Sequence, residues 1–296
     1  MGLKGRDAPL SSGALVACGV IGQREAQMMM ARVLGVSRAV VIAHPERLLD
    51  EAQAQHVQQL FAHRAAGEPI AYLLGTREFY GRDFRVSPAT LIPRPETELL
   101  VELALRRFSD HMLSVSAVNA GSMQYTPNQP VRILDLGTGS GVIAITLALE
   151  SPGTIVVAAD ISPDALTIAA ENAARLNAQV ALVESNWYAN LAARRFDLIV
   201  ANPPYIAYGD AHLSQGDLRF EPSLALTDQS GDGLDSIRAI VTGARDHLHP
   251  HGWLLFEHGY DQAPACRQLL LKAGFANLIS MTDLAGISRV AGGQTR

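Results

Sequence analysis

A short apolar run that ends in a glycine-studded loop and resumes as an apolar helix leaves a chain few choices of fold. Here the run is Val131-Arg132-Ile133-Leu134-Asp135-Leu136, whose alternation and β-branched residues predict a buried strand. The loop is Gly137-Thr138-Gly139-Ser140-Gly141, and residues 142–149 after it predict a helix. Strand, glycine loop and helix open a nucleotide-binding βαβ unit, in which backbone comes close to a ligand at a helix N-terminus. The fold class that follows is α/β. Val142 stands where the pattern G-x-G-x-x-G would need its last glycine, which argues against a nicotinamide cofactor.

The next element is acidic. Residues 155–159 predict a second strand, Asp160 ends it, and Ser162-Pro163 opens another helix. An acid about 20 residues beyond the glycine loop is where such units bind a ribose hydroxyl pair. A turn or helix cap is the plainer use of Asp160; the loop before it favours the ribose.

A third feature bears on chemistry. After the apolar run 196–201 comes Asn202-Pro203-Pro204-Tyr205. Neither proline can donate a backbone hydrogen bond and both hold φ near about −65°, so the turn is stiff and its carbonyls stay free to accept. A planar NH2 group offers two N–H donors, which the Asn202 side-chain oxygen and the Pro203 carbonyl can take together. Accepting both protons holds the nitrogen and enriches it as its lone pair attacks a methyl group. Tyr205 offers a flat face to a planar group. Taken alone, the tetrapeptide is equally a loop that ends a strand.

Together these residues resemble the class I S-adenosylmethionine-dependent methyltransferases, from about residue 130 onward. The resemblance implies a Rossmann-like seven-stranded sheet, with the loops after its first and fourth strands side by side. Gly137, Thr138, Gly139, Ser140, Gly141, Asp160 and Asn202 would then form the cofactor site. Trp187, after a third strand at 180–183, stands where the family packs a residue on the adenine ring; core packing is the other use of a lone tryptophan.

Longer motifs narrow the match. Residues 67–80, Leu91-Ile92-Pro93-Arg94-Pro95-Glu96-Thr97-Glu98, residues 216–222, Phe256-Glu257-His258-Gly259 and residues 283–289 are similar to the release factor glutamine methyltransferase family. That family methylates the side-chain amide nitrogen (N5) of the glutamine in the Gly-Gly-Gln loop of class I peptide-chain release factors, leaving S-adenosylhomocysteine. The resemblance implies direct in-line displacement, with Asn202, Pro203 and Tyr205 as the catalytic set and Asn202, Pro203, Pro204 and Tyr205 as the substrate pocket. It also implies that a helical N-terminal domain holds the release factor.

The expected organisation is a helical domain at 1–75, a β-hairpin linker at 76–92 centred on Gly81, and the methyltransferase domain at 93–296. The run Met28-Met29-Met30 is read as core filling, with an adaptable partner surface as the alternative. Glu96 and Glu98 complement a helix N-terminus; Arg94 and Glu98 are also candidates for the cofactor pocket. The polar stretch 108–130 is expected to be a mobile insertion.

Composition sets limits on partners. A net charge of −5 gives no sign of a duplex-binding surface, so direct nucleic-acid binding is not expected. Cys18 and Cys266 make no ligand set and suit a reduced, cytoplasmic compartment. Lys4, Arg6 and Leu15-Val16-Ala17-Cys18 resemble a lipoprotein signal, but Asp7, Pro9, Ser11 and Ser12 interrupt the apolar stretch; the segment is read as the start of a helix, with no membrane anchor. His247, His249 and His251 are assigned to a solvated turn, and no metal is expected. Gly292-Gly293-Gln294 mimics the substrate loop and is read as a coincidence in a tail. Three rival readings stand beside the main one: an adenine-N6 methyltransferase, a ribosomal-protein glutamine methyltransferase and a non-catalytic release-factor-binding module.

Overall fold

The computed structural model describes residues 11–118, 130–192 and 194–296, and the chain divides into two compact units between Thr76 and Arg77. The first unit is helical, with α1 (Ser12–Val16), α2 (Gln23–Leu34), α3 (Arg38–Ala43), α4 (Glu51–Ala65) and α5 (Ile70–Leu74). Helix α2 stops at Gly35, which takes the left-handed conformation that closes a helix. Helix α4 starts at a capping box in which Asp50 and Gln53 satisfy each other's backbone N–H. Ala26, Met29 and Met30 of α2 meet Val57 and Phe61 of α4 in one core. Met29 and Met30 are fully buried and fill that core, while Met28 is half-buried. Helix α1 ends at Val16 and leaves Cys18 exposed after it; Lys4 and Arg6 lie outside the described residues.

The division falls after the first residue of a hairpin, β1 (Thr76–Phe79) and β2 (Arg82–Arg85), and the rest of the hairpin belongs to the second unit. Its two turn residues, Tyr80 (φ 50°) and Gly81 (φ 72°), both have positive φ, the backbone that matches the twist of paired strands. Phe79 and Phe84 pack edge to face at 6.1 Å and are buried in the core of this unit. Helix α6 (Thr97–Val118) follows. Its backbone continues through Val118, so the stretch expected to be irregular from Phe108 begins as helix; residues 119–129 lie outside the described residues.

Alternation of strand and helix then builds the main layer: β3 (Arg132–Leu136), α7 (Val142–Glu150), β4 (Ile155–Asp160), α8 (Pro163–Leu176), β5 (Val180–Glu184), β6 (Phe196–Ala201), α9 (Ser223–Leu226), α10 (Asp235–His247), β7 (Leu248–Glu257), α11 (Ala263–Lys272), β8 (Ala276–Thr282) and β9 (Ser288–Gln294). The seven strands order as β5-β4-β3-β6-β7-β9-β8. Strands β3 to β7 run parallel, and β9 is antiparallel to both β7 and β8. This is the α/β arrangement of seven strands that the resemblance implied.

Strand alternation divides the core in two. Ile133, Ala158, Leu198 and Val200 face a layer that includes Leu100, Val101, Ile143 and Leu147 of α6 and α7. Leu134, Leu136, Ile199 and Ala201 face Ile237, Ile240 and Val241 of α10 and Leu270 of α11. Each fully buried Leu or Ile contributes about 1.5–3 kcal/mol, so the central strands anchor whatever leaves their ends.

Two sequence expectations are corrected here. Gly292, Gly293 and Gln294 are not in a tail: they form the end of β9, paired with Leu255, Leu254 and Trp253 of β7. Strand β7 starts at Leu248, so His249 and His251 belong to its irregular first half and not to a turn before Trp253. His247 ends α10 and stacks on Tyr188 at 4.5 Å. Among the described residues no group of His, Cys, Asp or Glu could hold a metal, and no helix is long and apolar enough to cross a membrane.

Candidate active site

The site follows from strand order. Strands β3 and β6 are neighbours, with Leu136 opposite Ala201, so Gly137 and Asn202 leave the sheet side by side. Beyond β3 the next strand on the other side is β4, and this reversal of direction is where open α/β sheets leave a crevice for ligands. A cavity of about 350 Å³ occupies it, lined by the loop 137–140, Asp160, Trp187, Asn202 and Pro204. That volume is in the range of small-molecule sites.

The glycine loop is held by its backbone and by one carboxylate. Gly137 and Thr138 donate to the Ala159 carbonyl at 2.8 and 3.0 Å, and Gly139 N donates to Asp160 Oδ2 at 2.8 Å. Gly141 has φ +84°, and a Cβ there would lie 2.8 Å from Ile145 Cδ1 and 3.2 Å from Ala169 Cβ. Only glycine permits both that backbone and the close approach of α7 and α8. Asn172 of α8, fully buried, secures the loop from behind: its Nδ2 donates to the Ser140 and Arg85 carbonyls, and its Oδ1 accepts from Arg85 N.

Asp160 Oδ1 accepts from Ser162 N at 2.9 Å. Each carboxylate oxygen keeps further acceptor capacity, which a ribose diol can use. Burial raises the Asp160 pKa, against backbone hydrogen bonds from Ser162, Gly139 and Ile161 that lower it. Trp187 adopts φ +48°, a left-handed backbone that costs a non-glycine residue about 1–2 kcal/mol. Ser185 Oγ donates to the Trp187 carbonyl at 2.8 Å and helps to hold this turn. The indole edge consequently lies against Gly137, 3.6 Å from where a Cβ would be.

Asp135 is the buried member of the group. Its Oδ2 accepts from Thr138 Oγ1 at 2.6 Å and Ala144 N at 3.2 Å, while Oδ1 has no partner among the described residues. Desolvation pushes its pKa up to about 7, the Asp160 charge adds to the rise, and the two hydrogen bonds oppose it. The folded protein thus keeps a proton that the unfolded chain has lost, so stability falls as pH rises from about 4 to about 7 and is flat above. The stability of Asp135→Asn relative to wild type is expected to rise by roughly 2 kcal/mol between about pH 5.5 and 8 in cofactor-free protein. Denaturant melts across that range check this; a pH-independent difference contradicts it.

At the Asn202 end, a set of polar groups from three elements converges. Asn202 Nδ2 donates to Thr97 Oγ1 at 3.1 Å, and Thr97 Oγ1 donates to Glu257 Oε2 at 2.8 Å. Tyr205 OH donates to Glu257 Oε1 at 3.1 Å. Glu257 is buried, which raises its pKa; the Thr97 and Tyr205 hydrogen bonds and the Arg289 charge lower it, and Glu96 raises it. Burial and the adjacent Glu257 also raise the Tyr205 phenol, so it stays protonated. Asn202 Oδ1 and the Pro203 carbonyl have no partner among the described residues.

Of the residues singled out in the sequence, the cavity gathers Gly137, Thr138, Gly139, Ser140, Asp160, Trp187, Asn202, Pro204 and Arg94. Gly141 sits behind it as the N-cap of α7. Pro203 is buried, and Tyr205 is half-buried with its hydroxyl on Glu257; neither belongs to the lining. Glu98 accepts from Tyr80 N at 2.9 Å and also stays out of the lining. Arg94 pairs with the buried Glu221, which also accepts from Ile92 N at 2.9 Å and so ties together two segments that wall the cavity. Thr97, Glu257, Asn172 and Glu221 were not identified as functional from sequence. Thr97 and Glu257 do fall inside the longer motifs, which is the one signal that pointed at them.

Comparison with known proteins points to one family. A family described as "Methyltransferase small domain" matches residues 112–218, and one described as "PrmC N-terminal domain" matches residues 21–75. The chain is 50% identical over 270 residues to the release factor glutamine methyltransferase of Bordetella pertussis, covering 91% of this chain and 93% of that one. It is 41% identical over 273 residues to the protein of that name from Escherichia coli, covering 92% of each. Among solved structures, a 16S rRNA N2 G1207 methyltransferase from T. thermophilus, in complex with AdoMet and guanosine, superposes with TM-score 0.51 at 19% identity. That match covers 75% of this chain and 50% of the other and shows the fold alone.

Proposed function

The chain belongs to the release factor glutamine methyltransferase family, and from that premise we infer that it transfers a methyl group from S-adenosylmethionine to the N5 amide nitrogen of the glutamine in the Gly-Gly-Gln loop of class I peptide-chain release factors. The single observation that supports this best is that Asn202, whose Oδ1 has no partner among the described residues, leaves the sheet beside the glycine loop and is followed by a Pro203 carbonyl that is also without one. Two acceptors match the two N–H donors of a primary amide.

The residues present fit S-adenosylmethionine. Spare acceptor capacity on Asp160 suits a ribose diol, the Trp187 indole suits a flat base, and the 137–141 backbone allows close approach. When bound, the cofactor supplies a methyl group already activated by its sulfonium centre, and S-adenosylhomocysteine is the product. The protein's part is to position and desolvate the amide. Asn202 Oδ1 and the Pro203 carbonyl accept its protons, and the stiff Pro203-Pro204 backbone holds both acceptors in place. No general base is required before attack, because the N–H becomes acidic only as the methyl transfers.

Relatives at 41–50% identity favour this substrate over an adenine or a ribosomal-protein glutamine. The intact constellation argues against a module that only binds. Release factors act in the cytoplasm, and the same reading assigns the protein there, with the helical first unit as the part that holds the release factor. Asp160→Ala is expected to weaken S-adenosylmethionine binding about 10²-fold, since it removes charge-assisted hydrogen bonds to ribose and to the loop. Calorimetric titration checks this; unchanged affinity contradicts the assignment. The substrate itself is tested by offering a release factor, ribosomal proteins and DNA in parallel with labelled cofactor. Label in the release factor supports the reading, and label only in another acceptor overturns it.

A further inference from the structure

A carboxamide has two ends of similar shape and opposite hydrogen-bonding sense, and only one end of Asn202 can accept the substrate's protons. What chooses the end lies outside the Asn-Pro-Pro-Tyr loop. Register places Phe256 of β7 opposite Ala201 of β6, so Glu257 and Asn202 emerge from adjacent strand ends, and Thr97 is the first residue of α6. A threonine hydroxyl has a single hydrogen. Glu257 Oε2 takes that hydrogen at 2.8 Å, and Glu257 Oε1 is engaged by the Tyr205 hydroxyl at 3.1 Å. Thr97 Oγ1 can then only accept from Asn202, so the group facing it at 3.1 Å is Nδ2, and Oδ1 is left for the substrate. Turned the other way, Asn202 would set an NH2 against an NH2 and leave both Thr97 and the substrate amide unsatisfied.

We propose that Thr97 and Glu257 are positioning residues that fix the orientation of the Asn202 carboxamide, and with it the acceptor presented to the substrate amide. The inference rests on the glutamine-methylating reading and adds to it Thr97, which borders the cavity and acts in this role through Asn202, and Glu257, which stays out of the lining. Both are buried, at 2% and 1% exposure, where a lost partner is not replaced by bulk water.

Two readouts separate this relay from mere packing. The first needs no substrate: the side-chain amide resonances of Asn202 in asparagine-labelled protein, assigned by their loss in Asn202→Ala. Thr97→Val is expected to shift these resonances and Thr97→Ser to preserve them. The second is turnover on a release factor. Thr97→Val is expected to lower kcat about 10- to 50-fold with KM for S-adenosylmethionine within about threefold of wild type, and Thr97→Ser is expected to restore kcat. Thr97→Ala, which removes the same hydroxyl with no added bulk, is run in parallel in case the valine variant does not fold. If both hydroxyl-free variants keep wild-type resonances and kcat, or Thr97→Ser falls as far as they do, the relay is wrong. If the resonances respond as expected and wild-type enzyme still labels no release factor, the relay stands and the substrate reading fails.

Discussion

Replacing Asn202 by alanine is expected to slow methyl transfer by about 10²–10³-fold, the loss seen when one preorganised polar contact to a reacting group is removed. The argument is local. The Asn202 side chain contributes the acceptor that borders the cavity, and in the proposed mechanism its loss leaves the Pro203 carbonyl to hold the amide alone. Packing changes little, because Asn202 is only half-buried and borders the cavity. Its backbone follows Ala201, which is fixed by pairing with Leu136 and Phe256 on either side. The fold should therefore survive while kcat falls. Single-turnover rates with saturating cofactor, alongside a thermal melt, measure both. Wild-type turnover in the variant would remove Asn202 from the mechanism.

The second large effect is expected at Gly233. This residue has φ +66°, and a Cβ built on it lies 2.2 Å from the Tyr205 carbonyl oxygen, 2.9 Å from its carbon and 3.0 Å from Ala207 N. All three are backbone atoms, so no side chain can rotate away. The Tyr205 carbonyl is also held by Gln262 Nε2 at 3.0 Å, and Ile206 N by the Leu226 carbonyl at 3.0 Å. A methyl group at 233 must therefore displace the loop that carries Asn202 to Tyr205. Gly233→Ala is expected to cost about 2–4 kcal/mol of stability, the sum of overpacking and a left-handed backbone on a residue with a Cβ. In the protein that remains folded, a shift of about 1 Å at the acceptors is expected to lower kcat about 10²-fold. Denaturant unfolding and turnover under native conditions check the two effects separately. A variant with wild-type stability and rate would mean that the loop has slack the packing does not show.

Gly233 also illustrates where the sequence stops being legible. The central strands, the glycine loop and Asp160 could be read because their signals are local: apolar runs bounded by glycine, and an acid at a strand end. Gly81 likewise announced its hairpin, although not that Phe79 and Phe84 would join the sheet's core. The need for glycine at 233 arises from a carbonyl 28 positions earlier, and nothing near it in the chain records that contact. Thr97 and Glu257 are hidden for the same reason, since their 160-residue separation closes only when α6 meets the end of β7. In isolation Thr97 is one more polar residue at a helix start, and Glu257 an acid ending a strand.

Misreadings have physical causes as well. Gly292-Gly293-Gln294 lacks the β-branched residues that mark a strand, and its place in β9 comes from pairing on both sides with β7 and β8. Pro250 and Gly252 suggested a turn where β7 instead takes an irregularity, with His251 at φ +63°. For Tyr205 the reading as a flat face for the substrate stands as a proposal, and what the sequence did not show is its hydroxyl's anchor on Glu257, an acceptor 52 positions away that periodicity cannot reveal.

The most direct test of the central claim is to incubate the protein with methyl-labelled S-adenosylmethionine and a purified class I release factor, then locate the label by fragmenting the tryptic peptides. The account predicts label on the side-chain nitrogen of the glutamine in the Gly-Gly-Gln loop, and its near absence with Asn202→Ala. Label on any other residue, or none from a protein that binds the cofactor, would contradict it.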